Sequence, residues 1–385
     1  SFVVHEDKQK LTIMHIDADN KDSGFYRGTE KKLDMEITVE KCPSNADNRQ
    51  AKISTILASG DKNIDLISVN DEMISEFKHK GYLEPLEKNV MTEEVRDSFP
   101  QKYLESICEE NGHIYSVPFQ MDIMMFWVNQ ELLKQAGLDE IKNTGDFDIL
   151  QKSLKNPDQY AYGDAWENTY VYNSLSQFVN FWGGDYFDWT DPKTKDAARY
   201  MKSMLDEKNT SPAQFVDQYE QMEEKFIRGK YGCVFMYTSA LGTFLDADVY
   251  GKNKIHMAPL PVLHKKKATN IATWQYVLNN ASENKDAAVR FLQYAAGYEG
   301  STEYAKIMKS YPARVDVIEN EDIDLEGIDM IRKYLREYTL NARPLCENSM
   351  GAVSDMGKLF QGYVLGQCEE DSFFEQAQNC INTYY

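Results

Sequence analysis

Residues 112–137, GHIYSVPFQMDIMMFWVNQELLKQAG, carry three local signals in one short segment. An apolar run reaches Pro118, polar side chains follow at Gln120 and Asp122, and the aromatic-rich run MMFW comes next. Apolar runs of this length are typical of buried strands. Residues 129–136 then have the spacing of an amphipathic helix that ends at a glycine. The segment therefore predicts strand structure on both sides of a polar pair, leading directly into a helix.

The residues before this segment predict alternating strands and helices. Apolar alternation and short apolar runs indicate strands over residues 11–16, 35–39 and 64–69, and helical spacing indicates helices over 44–59 and 71–80. Short connections between such elements favour parallel strand pairs with helices on the sheet faces. Ligands of open sheets bind beyond the carboxyl ends of the strands. The candidates at those ends are Asp17, Ala18, Asn70 and Asp71.

Length and charge narrow the possible functions. A chain of 385 residues is longer than one hydrophobic core usually supports, which favours two lobes. No run approaches the roughly 20 apolar residues of a membrane span. The formal net charge is −20, from 62 acidic and 42 basic residues, and such a chain is repelled by nucleic-acid phosphates and anionic lipid surfaces. We therefore expect no nucleic-acid partner, and interpret the basic run 265–267 as a solvated turn.

Later segments give the chain a family resemblance. In extracellular solute-binding proteins of sugar ABC transporters, the maltose-binding-protein-like family 1, a stretch similar to residues 112–137 carries the chain from one lobe to the other. Further blocks resemble that family in the same order. They are QFVNFWGGDYFDW at 177–189, KFIRGKYGCVFMYTSA at 225–240, IHMAPLPV at 255–262, ATWQYVLNNASENKDAAVRFLQYAA at 272–296 and YPARVDV at 311–317.

The resemblance implies an α/β protein with the two-lobed, type II periplasmic-binding-protein-like fold. Each lobe is expected to hold a mostly parallel sheet flanked by helices, with three interlobe crossings and a ligand cleft between the lobes. The implied lobes are 1–120 plus 264–318, and 121–263 plus 319–385.

The implied function is that of the substrate-binding component of an ABC importer. Such a component captures a sugar or oligosaccharide and delivers it to the transmembrane permease subunits. We expect a monomer without enzymatic activity, cofactor or metal. The expected location is extracellular or periplasmic, with a lipid anchor in the precursor.

Aromatic residues supply the physical argument for a carbohydrate ligand. The chain holds 24 Tyr, 18 Phe and 5 Trp. A pyranose ring has an apolar C–H face and a belt of hydroxyls, so it favours a flat aromatic beneath it and polar side chains around it. The resemblance implies a ligand-contacting aromatic at Trp274, in the first lobe. The further aromatic candidates are Trp166, Trp182, Tyr186 and Tyr237, with Trp166 or Tyr237 expected to oppose Trp274 from the second lobe.

The polar candidates can form paired hydrogen bonds with adjacent sugar hydroxyls. They are Gln120 and Asp122 near the first crossing, Asn70 and Asp71 at a strand end, Ser239 and Arg314. Arg314 has a second interpretation, in which it pairs with a neighbouring carboxylate and only stiffens the crossing.

Two other functions are consistent with parts of the sequence. A glycoside hydrolase needs only a carboxylate pair across a cleft, but the strand pattern lacks the eight regular repeats of a (β/α)₈ barrel. No P-loop, dinucleotide-binding, metalloprotease or serine-hydrolase motif occurs. A binder of the same fold for a peptide or polyamine would need a denser acidic or aromatic cage. The six cysteines show no metal-ligand spacing, and we expect most to be buried free thiols.

Overall fold

The computed structural model describes residues 7–15, 24–43 and 45–385, so Asp17 and Ala18 lie outside the described residues. The strands found there are β1 Gln9–His15, β2 Met35–Lys41, β3 Leu66–Asn70, β4 Glu109–Glu110, β5 His113–Ile114, β6 Val117–Asn129, β7 Tyr160–Gly163, β8 Tyr231–Tyr237, β9 Ile255–Ala258, β10 Ala268–Leu278 and β11 Thr339–Ala342.

The α-helices of the described residues vary from one turn to four. They are α1 Phe25–Leu33, α2 Ala46–Ser59, α3 Asp71–Phe77, α4 Glu93–Arg96, α5 Gln101–Tyr103, α6 Gln130–Gln135, α7 Thr144–Ser153, α8 Val171–Phe181, α9 Pro192–Asp206, α10 Tyr219–Ile227, α11 Ala240–Asp246, α12 Lys285–Ala296, α13 Tyr298–Met308, α14 Val315–Ile318, α15 Ile328–Glu337, α16 Ser349–Val364 and α17 Glu370–Tyr384. A π-helical turn, Leu104–Cys108, and a 3₁₀ turn, Pro212–Val216, complete the helical segments.

The chain forms two compact units. The first contains Ser1–Met121 and Ala272–Ile328, and the second contains Asp122–Ile271 and Asp329–Tyr385. Two of the boundaries fall inside strands, because β6 and β10 continue across them without a break. The chain returns to the first unit at Ala272 and leaves it after Ile328, whereas the sequence placed these changes at about 264 and 318.

The first unit is built on a sheet in the order β2-β1-β3-β10. Strand β1 pairs in parallel with both β2 and β3, as the alternation of strands and helices predicts. Strand β3 pairs with β10 in antiparallel fashion. Aromatic rings fill the core beside this sheet, with Phe119 stacked on Tyr276 at 4.2 Å between ring centroids.

The second unit holds a mixed sheet. Strand β6 pairs antiparallel with β8 and β9, β7 pairs in parallel with β8, and the first residues of β10 pair in parallel with β11. Strand β8 is buried along its whole length, and a Cβ at Gly163 on the neighbouring strand would lie 2.0 Å from the Tyr231 ring. Only glycine allows this close approach of backbone and ring.

One helix of the second unit is unusual because it buries polar side chains. Gln177 of α8 is fully buried, and its Nε2 donates to the carbonyl of Ala268 at 3.1 Å and to Thr269 Oγ1 at 3.2 Å. Its Oε1 accepts from the backbone N–H of Asn270 at 2.9 Å. Asn270 in turn donates through Nδ2 to Ser176 Oγ at 2.9 Å. These bonds attach the start of β10 to α8.

No helix within the described ranges has the length and apolar character needed to cross a bilayer.

Candidate ligand-binding site

In the first unit, two candidate residues lie opposite each other on neighbouring strands. Trp274 of β10 pairs in register with Asn70, the last residue of β3. Asn70 is also the N-cap of α3, where its Oδ1 accepts from the backbone N–H of Met73 at 3.0 Å. Asp71 follows at the first helical position and is fully buried. Trp274 keeps part of its surface exposed, so this strand end offers an accessible aromatic ring beside polar groups.

Gln120 also belongs to the first unit. Its Oε1 accepts from the hydroxyl of Tyr304 at 2.8 Å, and its backbone forms an isolated bridge with Pro312. The side chain is partly exposed, so the amide nitrogen can reach a ligand while Tyr304 fixes the oxygen.

Arg314 fits the second interpretation that the sequence allows. Its Nε and Nη2 donate to the two carboxylate oxygens of Asp316 at 2.9 and 2.8 Å, and Nη1 donates to the carbonyl of Ala296 at 2.9 Å. Nη2 also donates to Ser98 Oγ at 3.1 Å. Burial acts to raise the pKa of Asp316, but hydrogen bonds and the charge of Arg314 lower it overall. A guanidinium with these partners stabilises its own loop, and we leave it out of the proposed site.

In the second unit, Asp122 and Ser239 lie near each other at one end of the β6–β8 pair. Thr238 joins them: its Oγ1 donates to Asp122 Oδ1 at 3.1 Å, and its backbone N–H donates to the carbonyl of Ile123 at 2.9 Å. Asp122 is partly exposed and Ser239 is exposed. A partly exposed carboxylate has several acceptor positions, so Asp122 is suited to contact a ligand hydroxyl.

Tyr237, the last residue of β8, comes directly before Thr238 and Ser239, but its side chain is buried in the protein. Only 5% of its surface is exposed, and its hydroxyl donates to Asn173 Oδ1 at 3.1 Å. Its ring lies 6.1 Å from that of Tyr219. In this conformation Tyr237 is a packing residue beneath the end of the β6–β8 pair.

The structure buries three other aromatic candidates. Trp166 is 0% exposed, with the rings of Phe215 and Phe360 packed edge to face at 5.5 and 5.4 Å. A sugar needs an open aromatic face, which this packing does not leave. The sequence placed Trp166 in an irregular loop and gave no sign of the cover that α16 provides.

Trp182 and Tyr186 are buried by different neighbours. The ring of Trp182 is parallel to that of His264, with 5.2 Å between centroids, and lies 4.9 Å from the ring of Tyr200. Tyr186 packs against Trp189 at 6.2 Å, and burial raises the pKa of its phenol far above the usual range. Both residues are packing groups of the second unit in this structure.

Sequence reasoning missed two residues that lie beside the candidate side chains. Thr238 lies next to Ser239 in the segment MYTSA, and its hydroxyl could have marked it as a further polar candidate. Arg49 of α2 places its guanidinium carbon 5.4 Å from the centroid of the Trp274 ring. The predicted helix over 44–59 located Arg49 on α2, but only the fold brings α2 and β10 together.

Among residues 7–15, 24–43 and 45–385, no group of three or more His, Cys, Asp or Glu side chains is arranged to hold a metal ion.

Comparison with known proteins decides the family. The family described as bacterial extracellular solute-binding protein matches residues 30–302, well over half of the chain. The chain belongs to this family. A curated relative from Sinorhizobium fredii, named "Probable amino-acid ABC transporter periplasmic-binding protein y4oP", is 24% identical over 242 residues. The match covers 59% of this chain and 54% of that protein, so the chain spans about half the length of the curated relatives it matches.

Solved structures show the same fold over almost the whole chain. The sugar-binding protein MalE from Xanthomonas citri superposes with a TM-score of 0.81 at 16% identity, covering 97% of this chain and 96% of that chain. The cyclic alpha-maltosyl-1,6-maltose binding protein from Arthrobacter globiformis gives a TM-score of 0.80 at 18% identity, with coverages of 98% and 99%. The resemblance to the solute-binding family and the expected periplasmic-binding-protein fold are therefore confirmed.

Proposed function

We propose that this protein is the substrate-binding component of an ABC importer, which captures a sugar or oligosaccharide outside the cell and delivers it to membrane permease subunits. The family match supports a solute-binding role. The neighbours of the same fold carry sugar names, and the GacH receptor of Streptomyces glaucescens was solved with acarbose. A lipid anchor and a monomeric state are further parts of the proposal.

The pairing of Trp274 with Asn70 carries the proposal for the ligand class. A partly exposed indole opposite the end of β3 matches the C–H face of a pyranose, and the amide of Asn70 there matches a hydroxyl. We assign ligand contact to Trp274, Asn70 and Gln120 of the first unit and to Asp122 and Ser239 of the second. Asp71 is fully buried and is assigned to support α3.

Amino-acid binding is the second candidate, favoured by the name of the Sinorhizobium fredii relative. An amino acid carries a carboxylate and an ammonium group, which need fixed charged partners. Asp122 could accept from the ammonium group. This candidate predicts that binding depends strongly on Asp122 and little on the Trp274 ring.

Thermal-shift screening separates the two candidates. The panel contains maltose, maltotetraose, cellobiose, D-tagatose, the standard amino acids, a tripeptide and spermidine. We expect a sugar to raise the Tm, whereas stabilisation by amino acids alone would contradict the sugar assignment. Release of monosaccharide from the oligosaccharides during incubation would instead favour the hydrolase alternative.

Calorimetry on two variants then tests the contacts. Trp274→Ala should weaken binding of the tightest sugar by about 2 kcal/mol, or roughly 30-fold, as loss of a central aromatic contact does. Asp122→Ala should cost a similar amount because ligand hydroxyls lose their acceptor. Trp274→Phe, which keeps a flat ring, is the matched control. Unchanged affinity in folded Trp274→Ala would remove the centre of this site.

A further inference from the structure

Arg49 has an unusual environment for a charged side chain. It lies in the first turns of α2, only 8% of its surface is exposed, and its guanidinium lies over the Trp274 ring. Arginine is rarely this buried unless it has specific partners. The separation of 5.4 Å between Cζ and the ring centroid is within the range of cation–π interactions, in which a cation is attracted to the face of an indole.

Trp274 and Arg49 differ in how much of their surface is exposed. Trp274 is partly exposed, whereas Arg49, whose guanidinium lies over the Trp274 ring, is buried. Because the guanidinium lies over one face of the indole, we expect the accessible part of Trp274 to belong to the other face or to the ring edge. Arg49 thus covers one face of the ring.

A ring held from one side has fewer conformations to lose when a ligand binds. Immobilising a side chain at binding reduces affinity, and this cost falls when the side chain is already fixed in its bound conformation. Asn70 supports the same arrangement, because its strand pairs with β10 at Trp274. Backbone pairing fixes the Cα of Trp274, and the guanidinium restrains its ring.

We propose that Arg49 is a positioning residue of the ligand site, which holds the Trp274 indole with one face outward for the sugar. This inference rests on the proposed function for its ligand, but the effect of Arg49 on the ring is independent of any ligand. The test therefore uses one measurement with a ligand and one without.

Lys52 offers a matched control on the same helix. It lies three residues after Arg49 and is exposed. Burial raises the pKa of the Cys42 thiol, and the charges of Arg49 and Lys52 both oppose that rise, so the two cations act on the same neighbourhood. Lys52→Gln removes an equal charge from this region without touching the indole.

The first measurement is tryptophan fluorescence without ligand. Difference spectra between each variant and the same variant carrying Trp274→Phe isolate the emission of Trp274 from the other four tryptophans. Arg49→Gln should shift this emission to longer wavelength, because the uncovered ring meets more water. Arg49→Lys should restore part of the shift, and Lys52→Gln should leave the emission at the wild-type position. Unchanged emission in Arg49→Gln would overturn the proposal.

The second measurement is calorimetry with the tightest binder among maltose, maltotetraose, cellobiose and D-tagatose. Arg49→Gln should weaken binding about 5- to 10-fold, a loss of the size expected when a released side chain must be immobilised on binding. Added to Trp274→Ala, the same change should cost less than 2-fold, because the ring it positions is gone. An equal loss in both backgrounds would overturn the positioning role, since Arg49 would then act without Trp274.

The two measurements distinguish failure of this inference from failure of the proposed function. If no sugar of the panel binds the wild-type protein, the sugar assignment fails, and the emission shift alone decides whether Arg49 positions the ring. If sugars bind but neither emission nor affinity responds to Arg49→Gln, the sugar assignment stands and this inference is wrong. Tm values of Arg49→Gln and Arg49→Lys verify that both variants are folded.

Discussion

Trp274 lies directly opposite Asn70 in the antiparallel pair that β10 forms with β3. Asn70 caps α3 through its Oδ1, and we propose that its amide also contacts the ligand, so the two roles can be separated by substitution. Asn70→Ala should lower the free energy of unfolding by about 1 kcal/mol, the usual cost of losing an N-cap. Urea unfolding followed by circular dichroism measures this change.

Asn70→Asp is the matched variant for the cap. Aspartate keeps an oxygen that accepts from the Met73 N–H, so stability should stay within about 0.5 kcal/mol of wild type. It lacks the amide donor, so sugar binding should still weaken. Equal stability of the Ala and Asp variants would show that the cap contributes nothing measurable.

Gln177 provides a prediction about the second unit. Replacing it with Ala removes the partners of the Ala268 carbonyl and the Asn270 N–H, both inside the protein. Each buried polar group without a partner costs about 1–3 kcal/mol, so Gln177→Ala should destabilise the protein by roughly 2–4 kcal/mol. Gln376, which is exposed and donates only to Ser372, is the control, and Gln376→Ala should change stability by less than about 0.5 kcal/mol. Similar losses in the two variants would contradict this account.

The buried side chain of His15 should make the stability of the protein depend on pH. Burial among aromatic rings, including Phe119 at 5.6 Å, lowers the pKa of His15 from 6.5 to about 4. Between these values the unfolded chain binds a proton that the folded protein does not, so stability falls as the pH falls through this range. The loss from this group is on the order of 3 kcal/mol by pH 4.

The check is urea unfolding at pH 7.0 and pH 4.5 for wild type and His15→Phe. Many carboxylates titrate in the same range, so only the difference between the two proteins reports on His15. The variant should lose less stability than wild type on acidification. A loss of the same size in both proteins would mean that His15 is not held neutral.

Two substitutions of Trp166 test whether this residue serves packing or ligand binding. Because it is fully buried against Phe215 and Phe360, Trp166→Ala should destabilise the protein by about 3–5 kcal/mol. Trp166→Phe keeps much of the packing, so it should bind the tightest sugar with wild-type affinity. Thermal unfolding and calorimetry measure the two effects. A binding loss in folded Trp166→Phe would restore this residue to the site.

The positions of helices and strands could be predicted from the sequence, whereas the exposure of the candidate aromatic side chains could not. Local patterns located α2, whose predicted range of 44–59 compares with Ala46–Ser59, and the strand that passes through Gln120 and Asp122. These features depend on capping, glycine and apolar spacing along the chain. The exposure of an aromatic depends instead on what packs over it. The sequence offered both Trp166 and Trp274 as ligand contacts, and the long-range packing of Phe215 and Phe360 buries Trp166 while Trp274 stays partly exposed.

Cysteine reactivity gives the last prediction. All six cysteines are free thiols, and Cys368 is the exposed one among them. Burial raises the pKa of Cys108 to about 12 and that of Cys233 well above its ordinary value, so neither forms the reactive thiolate near neutral pH. In the native protein, a disulfide reagent such as DTNB should therefore modify Cys368 fastest, the half-buried Cys346 more slowly, and all six thiols only in denaturant. Cys368→Ser should abolish the fast phase, and a fast phase that survives this change would contradict the assignment of that phase to Cys368.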